Sequence, residues 1–214
     1  MGEPRQHYFS ATPGAASRRG TVRVRLRDVQ LDLVTDSGVF SPGRLDTGTR
    51  VLLEHAPLPD ADGDLLDLGC GYGPIALTFA SRRKDTRVWA VDVNERALDL
   101  VRENAGTAGL DNVTACLPAA VPDGVRFAAL YSNPPIRVGK AVLHEMLAHW
   151  LSRLLPGGSA YLVVQKHLGS DSLARWLNEQ GFPTTRLLSQ HGYRLLQVRP
   201  RATASTPASG TGTE

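Results

Sequence analysis

Residues 64–75, DLLDLGCGYGPI, run from a short apolar stretch through three glycines into a segment of helical character. The apolar stretch predicts a buried strand, and Gly69, Gly71 and Gly73 follow where that strand ends. Glycine lets the backbone turn sharply and approach a ligand closely, and a helix N-terminus favours a negative group. Pro74 suits the first helical turn. The stretch therefore predicts a strand, a ligand-binding turn and a helix.

The flanking sequence repeats this strand, loop and helix order. Further strands are predicted within residues 87–93, 112–116, 126–133 and 159–166, and helices within 74–83, 94–109 and 140–155. Strands separated by helices of this length favour a parallel sheet with helices on both faces. Only His191 and Gly192 separate the last two predicted strands, which is typical of an antiparallel hairpin. The predicted class is α/β, a mostly parallel sheet with a C-terminal antiparallel hairpin.

Composition favours one domain in a reducing compartment. The chain has 214 residues, 42% of them hydrophobic, and a net charge of +3, which allows an anionic partner without requiring one. Cys70 and Cys116 give neither a disulfide framework nor a metal-ligand spacing. No stretch approaches the ~20 apolar residues of a membrane helix, and no signal peptide is visible. We expect a cytoplasmic protein without a metal.

The two ends of the chain differ from its centre. We expect a flexible lead over residues 1–20, a single domain over 21–200 and a disordered tail over 201–214, which is small, polar and punctuated by Pro and Gly. Residues 21–35 alternate apolar and polar side chains, which predicts a hairpin. One face would carry Arg23, Arg25 and Arg27, a strip suited to phosphates. An ordinary solvated face is the alternative.

A carboxylate strengthens the prediction of a ligand site. Asp92 ends the strand that follows the glycine turn, where it can accept hydrogen bonds from both hydroxyls of a ribose. The glycine spacing is G-x-G-x-G, which differs from the G-x-G-x-x-G of dinucleotide enzymes and argues against NAD. The turn and Asp92 together indicate a ligand of the nucleoside type.

The motifs DLGCGYGPI, AVDVN and SNPPI, in this order and spacing, resemble class I S-adenosylmethionine-dependent methyltransferases. More narrowly, the chain is similar to the small-domain methyltransferases related to the RsmC-type enzymes, which methylate guanine N2 in 16S rRNA. The likeness runs from HYFS through TDSGVFSPGRLDTGTR and NPPIRVGK to GYRLL. It implies a Rossmann-like sheet of seven strands, S-adenosylmethionine as cofactor, and rRNA or the small ribosomal subunit as partner.

The resemblance also assigns residues to the cofactor. Phe40 would belong to a lid over the pocket, with a buried core aromatic as its alternative. Asp92 would bind the ribose, and Asn94 would help at the adenosine end. The remaining cofactor residues implied are Thr47, Gly48, Asp67, Gly69, Gly71, Tyr72 and Asn133. One family feature is missing, because TACLP places Cys116 and Leu117 where an acidic acceptor for adenine usually stands.

The segment Asn133–Ile136, NPPI, would carry the catalysis. The Asn133 side-chain oxygen and the Pro134 carbonyl would each accept one hydrogen of the target amine, which points the nitrogen lone pair at the methyl group. Pro134 and Pro135 fix the backbone, so the acceptors need no later reorganisation. Ile136 stands where the commoner aromatic would stack on the base, and we interpret it as a subgroup feature.

Several alternatives remain at this stage. Arg137 and Lys140 would contact RNA phosphates at the pocket mouth or stand as solvated charges. The length leaves no room for the second methyltransferase-like domain of larger RsmC-type enzymes. The RNA would then be recognised by the basic strip of Arg23, Arg25 and Arg27, by Arg137 and Lys140, or by a surface formed on dimerisation. Protein glutamine or DNA adenine methylation is the alternative activity. A non-catalytic RNA-binding protein on the same fold is a third hypothesis.

Overall fold

The computed structural model describes residues 16–60 and 62–201. The strands are β1 Gly20–Arg25, β2 Gln30–Thr35, β3 Asp64–Leu68, β4 Val88–Val91, β5 Val113–Cys116, β6 Phe127–Ser132, β7 Leu154–Gln165, β8 Thr184–Gln190 and β9 Tyr193–Val198. The helices are α1 Thr47–His55, α2 Pro74–Arg82, α3 Glu95–Ala108, α4 Lys140–Leu151 and α5 Ser170–Glu179. Short 3-10 turns lie at Pro118–Ala120, Ile136–Val138 and Lys166–Leu168.

The main sheet has seven strands in the order β5-β4-β3-β6-β7-β9-β8. The five strands from β5 to β7 pair in parallel, and β7, β9 and β8 pair antiparallel. His191 and Gly192 join β8 to β9 with φ of 49° and 80°, the pair of left-handed residues that a two-residue hairpin turn requires. This order confirms the predicted fold class.

Helices cover both faces of this sheet. Helices α1, α2 and α3 and the β1–β2 hairpin share one apolar cluster, represented by Val51, Phe79 and Leu98. Helices α4 and α5 share the other, represented by Leu147 and Leu177. Buried apolar side chains from both sides of the parallel strands explain why those strands read as continuous hydrophobic runs.

The predicted helix over residues 140–155 is too long. Helix α4 ends at Leu151, and β7 has already begun at Leu154. Leu154 pairs with Phe127 of β6, and the Phe127 N–H donates to the Arg153 carbonyl at 2.9 Å. Pairing with β6 therefore takes the chain into the sheet before the end of the predicted helix. Helices α1 and α5 were not predicted.

The ends of the chain fall largely outside the described residues. Residues 1–15 of the predicted lead and residues 202–214 of the predicted tail are not described. Within the remainder of the lead, the Ser17 hydroxyl and the Arg18 N–H both donate to the Asp36 carboxylate. Residues 16–20 therefore run against the end of β2.

One buried amide joins the β1–β2 hairpin to the body of the domain. The Asn104 side chain of α3 is 2% exposed. It accepts from the Val34 N–H and donates to the carbonyls of Val34 and Tyr72, over 2.7, 2.9 and 3.0 Å. Asn104 thereby links β2 to the glycine loop that follows β3.

Asn104→Leu is expected to lower the free energy of unfolding by about 2–4 kcal/mol, because it leaves buried backbone groups without partners. Urea denaturation measures this difference. Thr107→Leu is the control on the same helix, since Thr107 is exposed and its hydroxyl donates only to the Glu103 carbonyl. Equal losses for the two variants would contradict the role assigned to Asn104.

Candidate active site

The carboxyl ends of the central parallel strands open into a cavity of about 690 Å³. This is the edge of an open α/β sheet where ligands bind, and the volume is that of a small-molecule site. The wall is formed by the glycine loop after β3, the end of β4, the Asn-Pro-Pro segment after β6, residues 39–42 and one face of α4. Most motifs singled out in the sequence therefore meet at this place.

The glycine loop leaves open space in this wall. Gly69 and Gly71 have φ of +76° and +54°, and a Cβ built on either would meet no atom of the described residues within 4 Å. Gly73, with φ of +96°, precedes α2, and Pro74 occupies its first turn. Left-handed φ values explain why glycine stands at these positions. The missing side chains leave room for a ligand to approach the backbone.

Asp92 holds the glycine loop against the end of β4. Its carboxylate accepts from the Gly71 N–H and from the Asn94 N–H, both at 2.9 Å. Burial raises the pKa of Asp92, and these backbone donors oppose that rise. A carboxylate has about four acceptor positions, so Asp92 retains capacity for ligand hydroxyls.

Asp67 lies beneath the first turn of α2 and is not part of the cavity wall. It is 1% exposed, and its Oδ2 accepts from the Ala76 N–H at 2.8 Å. Its Oδ1 has no hydrogen-bond partner among the described residues. Burial raises the pKa of Asp67 to about 8, the Ala76 N–H opposes this rise, and the nearby charge of Asp92 adds to it.

This buried acid makes stability depend on pH. The folded protein holds the Asp67 proton up to about pH 8, whereas the unfolded chain releases it near pH 4. Between these values the native state binds more protons, so the free energy of unfolding falls as pH rises, by at most about 1.4 kcal/mol per unit. Asp67→Asn is expected to remove this component and to exceed wild type in stability at pH 8.

Urea denaturation at pH 5, 6.5 and 8 (chosen to span roughly this interval) compares the two proteins. Other groups also titrate in this range, so the quantity of interest is the difference between wild type and Asp67→Asn at each pH. Asp99→Asn is the control, because Asp99 lies exposed on α3 beside Arg102. A difference that does not change with pH would be evidence against the raised pKa.

Residues 36–46 connect β2 to α1, and residues 39–42 of this connection line the cavity. The Asn94 side chain donates to the Gly38 carbonyl at 2.9 Å, and Arg96 donates to the Ser37 carbonyl at 2.9 Å. Asn94 also caps α3 by accepting from the Ala97 N–H. Asn94 lines the cavity. Its amide also holds residue 38 and caps α3, which is a structural role in addition to the predicted contact with the adenosine end of the cofactor.

Phe40 belongs to the connection between β2 and α1 and lines the cavity. It is 37% exposed, so the alternative of a buried core aromatic is wrong. Tyr72 of the glycine loop is 2% exposed and also contributes to the wall. The cavity wall therefore has one aromatic side chain from the connection between β2 and α1 and another from the glycine loop.

The start of α1 differs from the prediction. The cavity wall contains Asp46 and Thr49, not the predicted Thr47 and Gly48. Thr47 is exposed, and Gly48 is buried against Tyr193, whose ring lies 2.6 Å from the position of a Cβ. Residues three apart share one side of a helical turn, which is why the wall takes residues 46 and 49 together.

Asn133 follows β6, and its side chain is fixed by two neighbours. Its Nδ2 donates to Asp46 Oδ1 at 2.8 Å and to Thr49 Oγ1 at 3.1 Å. No described residue donates to its amide oxygen, and Asn133 lines the cavity. Pro134 is buried, and its carbonyl accepts from the Ile136 N–H at 2.8 Å, which uses one of its two lone pairs. Two acceptors are thus available at this point of the wall.

Beyond the Asn-Pro-Pro segment the wall is apolar. Ile136 contributes to it with three residues that the sequence did not single out: Met146 and Trp150 of α4, and Leu168. Met146 and Trp150 are four apart on one helix face. Their helical spacing was visible, but only the packing of α4 on the sheet shows that this face meets the cavity.

Among the described residues, no acidic side chain lines the cavity after β5. Val93, 43% exposed, and Pro118 contribute to the wall after β4 and β5. Cys116 and Leu117 lie beside this region without forming part of the wall. The surface available to a flat ring here is apolar.

The predicted cationic residues lie in two places. Arg23 and Arg25 share Asp32 of β2, with nitrogen to oxygen distances of 3.8 and 2.8 Å, and they lie outside the cavity wall with Arg27. The negative charge of Asp32 therefore offsets part of the positive charge of the predicted basic strip.

Arg137 lies in the cavity wall, and Lys140 begins α4 nearby; both are exposed. Within residues 16–60 and 62–201 neither forms an ion pair. In these ranges we also find no group of potential metal ligands and no helix suited to crossing a bilayer.

Comparison with known proteins gives the following relatives. The profile of a family described as methyltransferase small domain matches residues 30–197. The uncharacterized protein YbxB of Bacillus subtilis is 36% identical over 197 residues, which cover 91% of this chain and 98% of YbxB. Ribosomal RNA small subunit methyltransferase C of Ectopseudomonas mendocina is 31% identical, over 88% of this chain and 57% of its own length.

Ribosomal RNA large subunit methyltransferase G of Pseudomonas putida is 33% identical, over 78% of this chain and 46% of its own. The chain thus spans about half the length of these two rRNA methyltransferases. Among solved structures, the T. thermophilus 16S rRNA N2 methyltransferase RsmC, in complex with AdoMet and guanosine, aligns with a TM-score of 0.72 and 24% identity. The alignment covers 88% of this chain and 52% of RsmC, which shows a shared fold.

Proposed function

Because this chain belongs to the methyltransferase small-domain family, we propose that it transfers a methyl group from S-adenosylmethionine to guanine N2 of small-subunit rRNA. The observation that carries this proposal is the Asn133 amide. Its nitrogen is bound by Asp46 and Thr49, which leaves its oxygen free at a cavity shared with the glycine loop and Asp92. An acceptor beside a nucleoside-type site suits an amine substrate.

The residues present fit the cofactor. The open space beside Gly69 and Gly71 accommodates its amino acid part close to the backbone. Asp92 has acceptor capacity for the ribose hydroxyls, and Val93 and Pro118 offer apolar surfaces to adenine. Bound S-adenosylmethionine supplies an electrophilic methyl group on a sulfonium sulfur.

Asn133 and Pro134 act on the substrate side. The lone pair of an exocyclic guanine amine is delocalised into the ring, which makes the nitrogen a poor nucleophile. The Asn133 oxygen and the Pro134 carbonyl each accept one amine hydrogen, which draws the nitrogen toward tetrahedral geometry and stabilises its developing positive charge. Both groups only accept hydrogen bonds, so the proton released after transfer passes to water.

The apolar wall beyond these acceptors receives the base. Ile136, Met146 and Leu168 offer aliphatic surface on which the base can pack. Arg137 and Lys140 contact the phosphates that flank the target nucleotide. Arg23, Arg25 and Arg27 would add a more distant contact, weakened by Asp32.

The test uses purified protein, S-adenosylmethionine with a labelled methyl group, and rRNA from a strain that lacks the gene. We expect nucleoside mass spectrometry to find N2-methylguanosine in small-subunit rRNA. Free rRNA and assembled small subunits are assayed in parallel. Label in DNA adenine or protein glutamine, with none in RNA, would replace the proposed substrate. Absence of cofactor binding at millimolar concentration by titration calorimetry would refute the proposed activity.

A further inference from the structure

We propose that Asp46 is a positioning residue for methyl transfer, which orients the Asn133 amide so that its oxygen faces the target amine. The inference rests on the proposed function and extends it to a residue to which the sequence analysis assigned no role. Asp46 Oδ1 lies 2.8 Å from Asn133 Nδ2. The two residues are 87 positions apart in the chain and meet at the cavity wall.

Asp46 fixes the direction of the amide, and Thr49 alone cannot. An ionised carboxylate only accepts hydrogen bonds, so the amide NH2 must face it. The Thr49 hydroxyl either donates or accepts, and it would therefore tolerate both orientations of Asn133. In the flipped orientation the amide oxygen would stand against Asp46 Oδ1, and two acceptors at that distance repel each other.

Asp46 is itself held on a rigid element. It caps the N-terminus of α1, and the same Oδ1 accepts from the Thr49 N–H at 2.9 Å. Val51, Leu52 and Leu53 anchor that helix in the core, each no more than 1% exposed. The carboxylate therefore presents a fixed acceptor to Asn133, as a supporting residue of a preorganised site should.

The charge of Asp46 also reaches other residues of the cavity. The pKa of Tyr72 and that of Tyr193 are raised, by burial first and then by the Asp46 carboxylate. Both tyrosines line the cavity. The Asp46 carboxylate therefore lies at the same cavity as the amide that it orients.

The test is Asp46→Ser, because serine caps a helix about as well as aspartate but is too short to reach Asn133 in the same way. We expect the single-turnover rate at saturating cofactor to fall about 10- to 30-fold, the effect of losing one hydrogen bond to a charged group. The cofactor dissociation constant and the thermal midpoint should stay near wild type. Asp99→Ser is the control, because Asp99 lies exposed on α3 and outside the cavity wall, and it is expected to retain the wild-type rate within a few-fold.

A double-mutant cycle separates orientation from a merely structural role. If Asp46 acts through Asn133, adding Asp46→Ser to Asn133→Ala causes no further loss of rate. Multiplicative losses would overturn the inference. Should Asp46→Ser fail to fold, Asp46→Asn takes its place in the cycle, since it keeps the volume and a capping oxygen while removing the charge.

A measurement without activity keeps this inference distinct from the proposed function. In 15N NMR spectra, the Asn133 side-chain amide protons are expected to exchange slowly in wild type and faster in the Asp46→Ser variant. Their assignment comes from the signals lost in Asn133→Ala. If wild type transfers no methyl group, the proposed function fails while this comparison still decides the orientation. Unchanged Asn133 amide signals in Asp46→Ser would overturn it.

Discussion

Asn133→Ala is expected to reduce the rate of methyl transfer by about 100- to 1000-fold and to leave cofactor affinity nearly unchanged. The magnitude is that of removing one preorganised group that stabilises a developing charge. Without the amide oxygen, the amine keeps one acceptor, Pro134, whose carbonyl already receives the Ile136 N–H. Single-turnover kinetics measure the rate, and titration calorimetry measures the binding of S-adenosylmethionine.

Asn133→Asp is the informative companion variant. It keeps an acceptor oxygen and the size of the side chain, but it removes the donor that faces Asp46 Oδ1 at 2.8 Å. A second carboxylate in that position repels the first, so we expect a loss close to that of Asn133→Ala. An unchanged rate in Asn133→Ala would refute the acceptor mechanism. A large loss of cofactor affinity would assign Asn133 to the cofactor instead.

Local patterns predict the parts of this fold whose causes are local. The strand, glycine loop and helix over residues 64–82 follow from an apolar run and from left-handed positions that favour glycine. The β8–β9 hairpin follows from His191 and Gly192 in the same way. The predicted end of α4 was wrong because the pairing of Leu154 with Phe127 decides where the helix stops. That contact joins segments that are distant in the sequence, so no local pattern predicts it.

In the site too, features with local causes could be predicted, whereas contacts between distant segments could not. The glycine loop, Asp92 and the Asn-Pro-Pro segment each end a strand, and the carboxyl ends of parallel strands meet at one edge of the sheet. Asp46 had a local signal as a helix cap, but its contact with Asn133 depends on how α1 packs beside β6. The packing of α1 likewise decides that Asp46 and Thr49, and not Thr47 and Gly48, line the cavity.

Gly71→Ala is expected to weaken the binding of S-adenosylmethionine about 100-fold, near the upper end of what overpacking costs a close contact. A Cβ at Gly71 would enter space that is open in this structure, and the proposed site places the cofactor there. Its φ of +54° adds strain for alanine, about 1–2 kcal/mol of stability. Titration calorimetry measures affinity, and urea denaturation measures the free energy of unfolding.

Gly109→Ala separates strain from obstruction. Gly109 caps the C-terminus of α3 with φ of +64°, and a Cβ there would likewise meet no atom within 4 Å in the part of the chain that the structure describes. It is absent from the cavity wall. The two variants should therefore lose similar stability, because the same left-handed conformation is imposed on alanine in both, while only Gly71→Ala loses cofactor affinity. Equal affinities would show that the space beside Gly71 is not used by the cofactor.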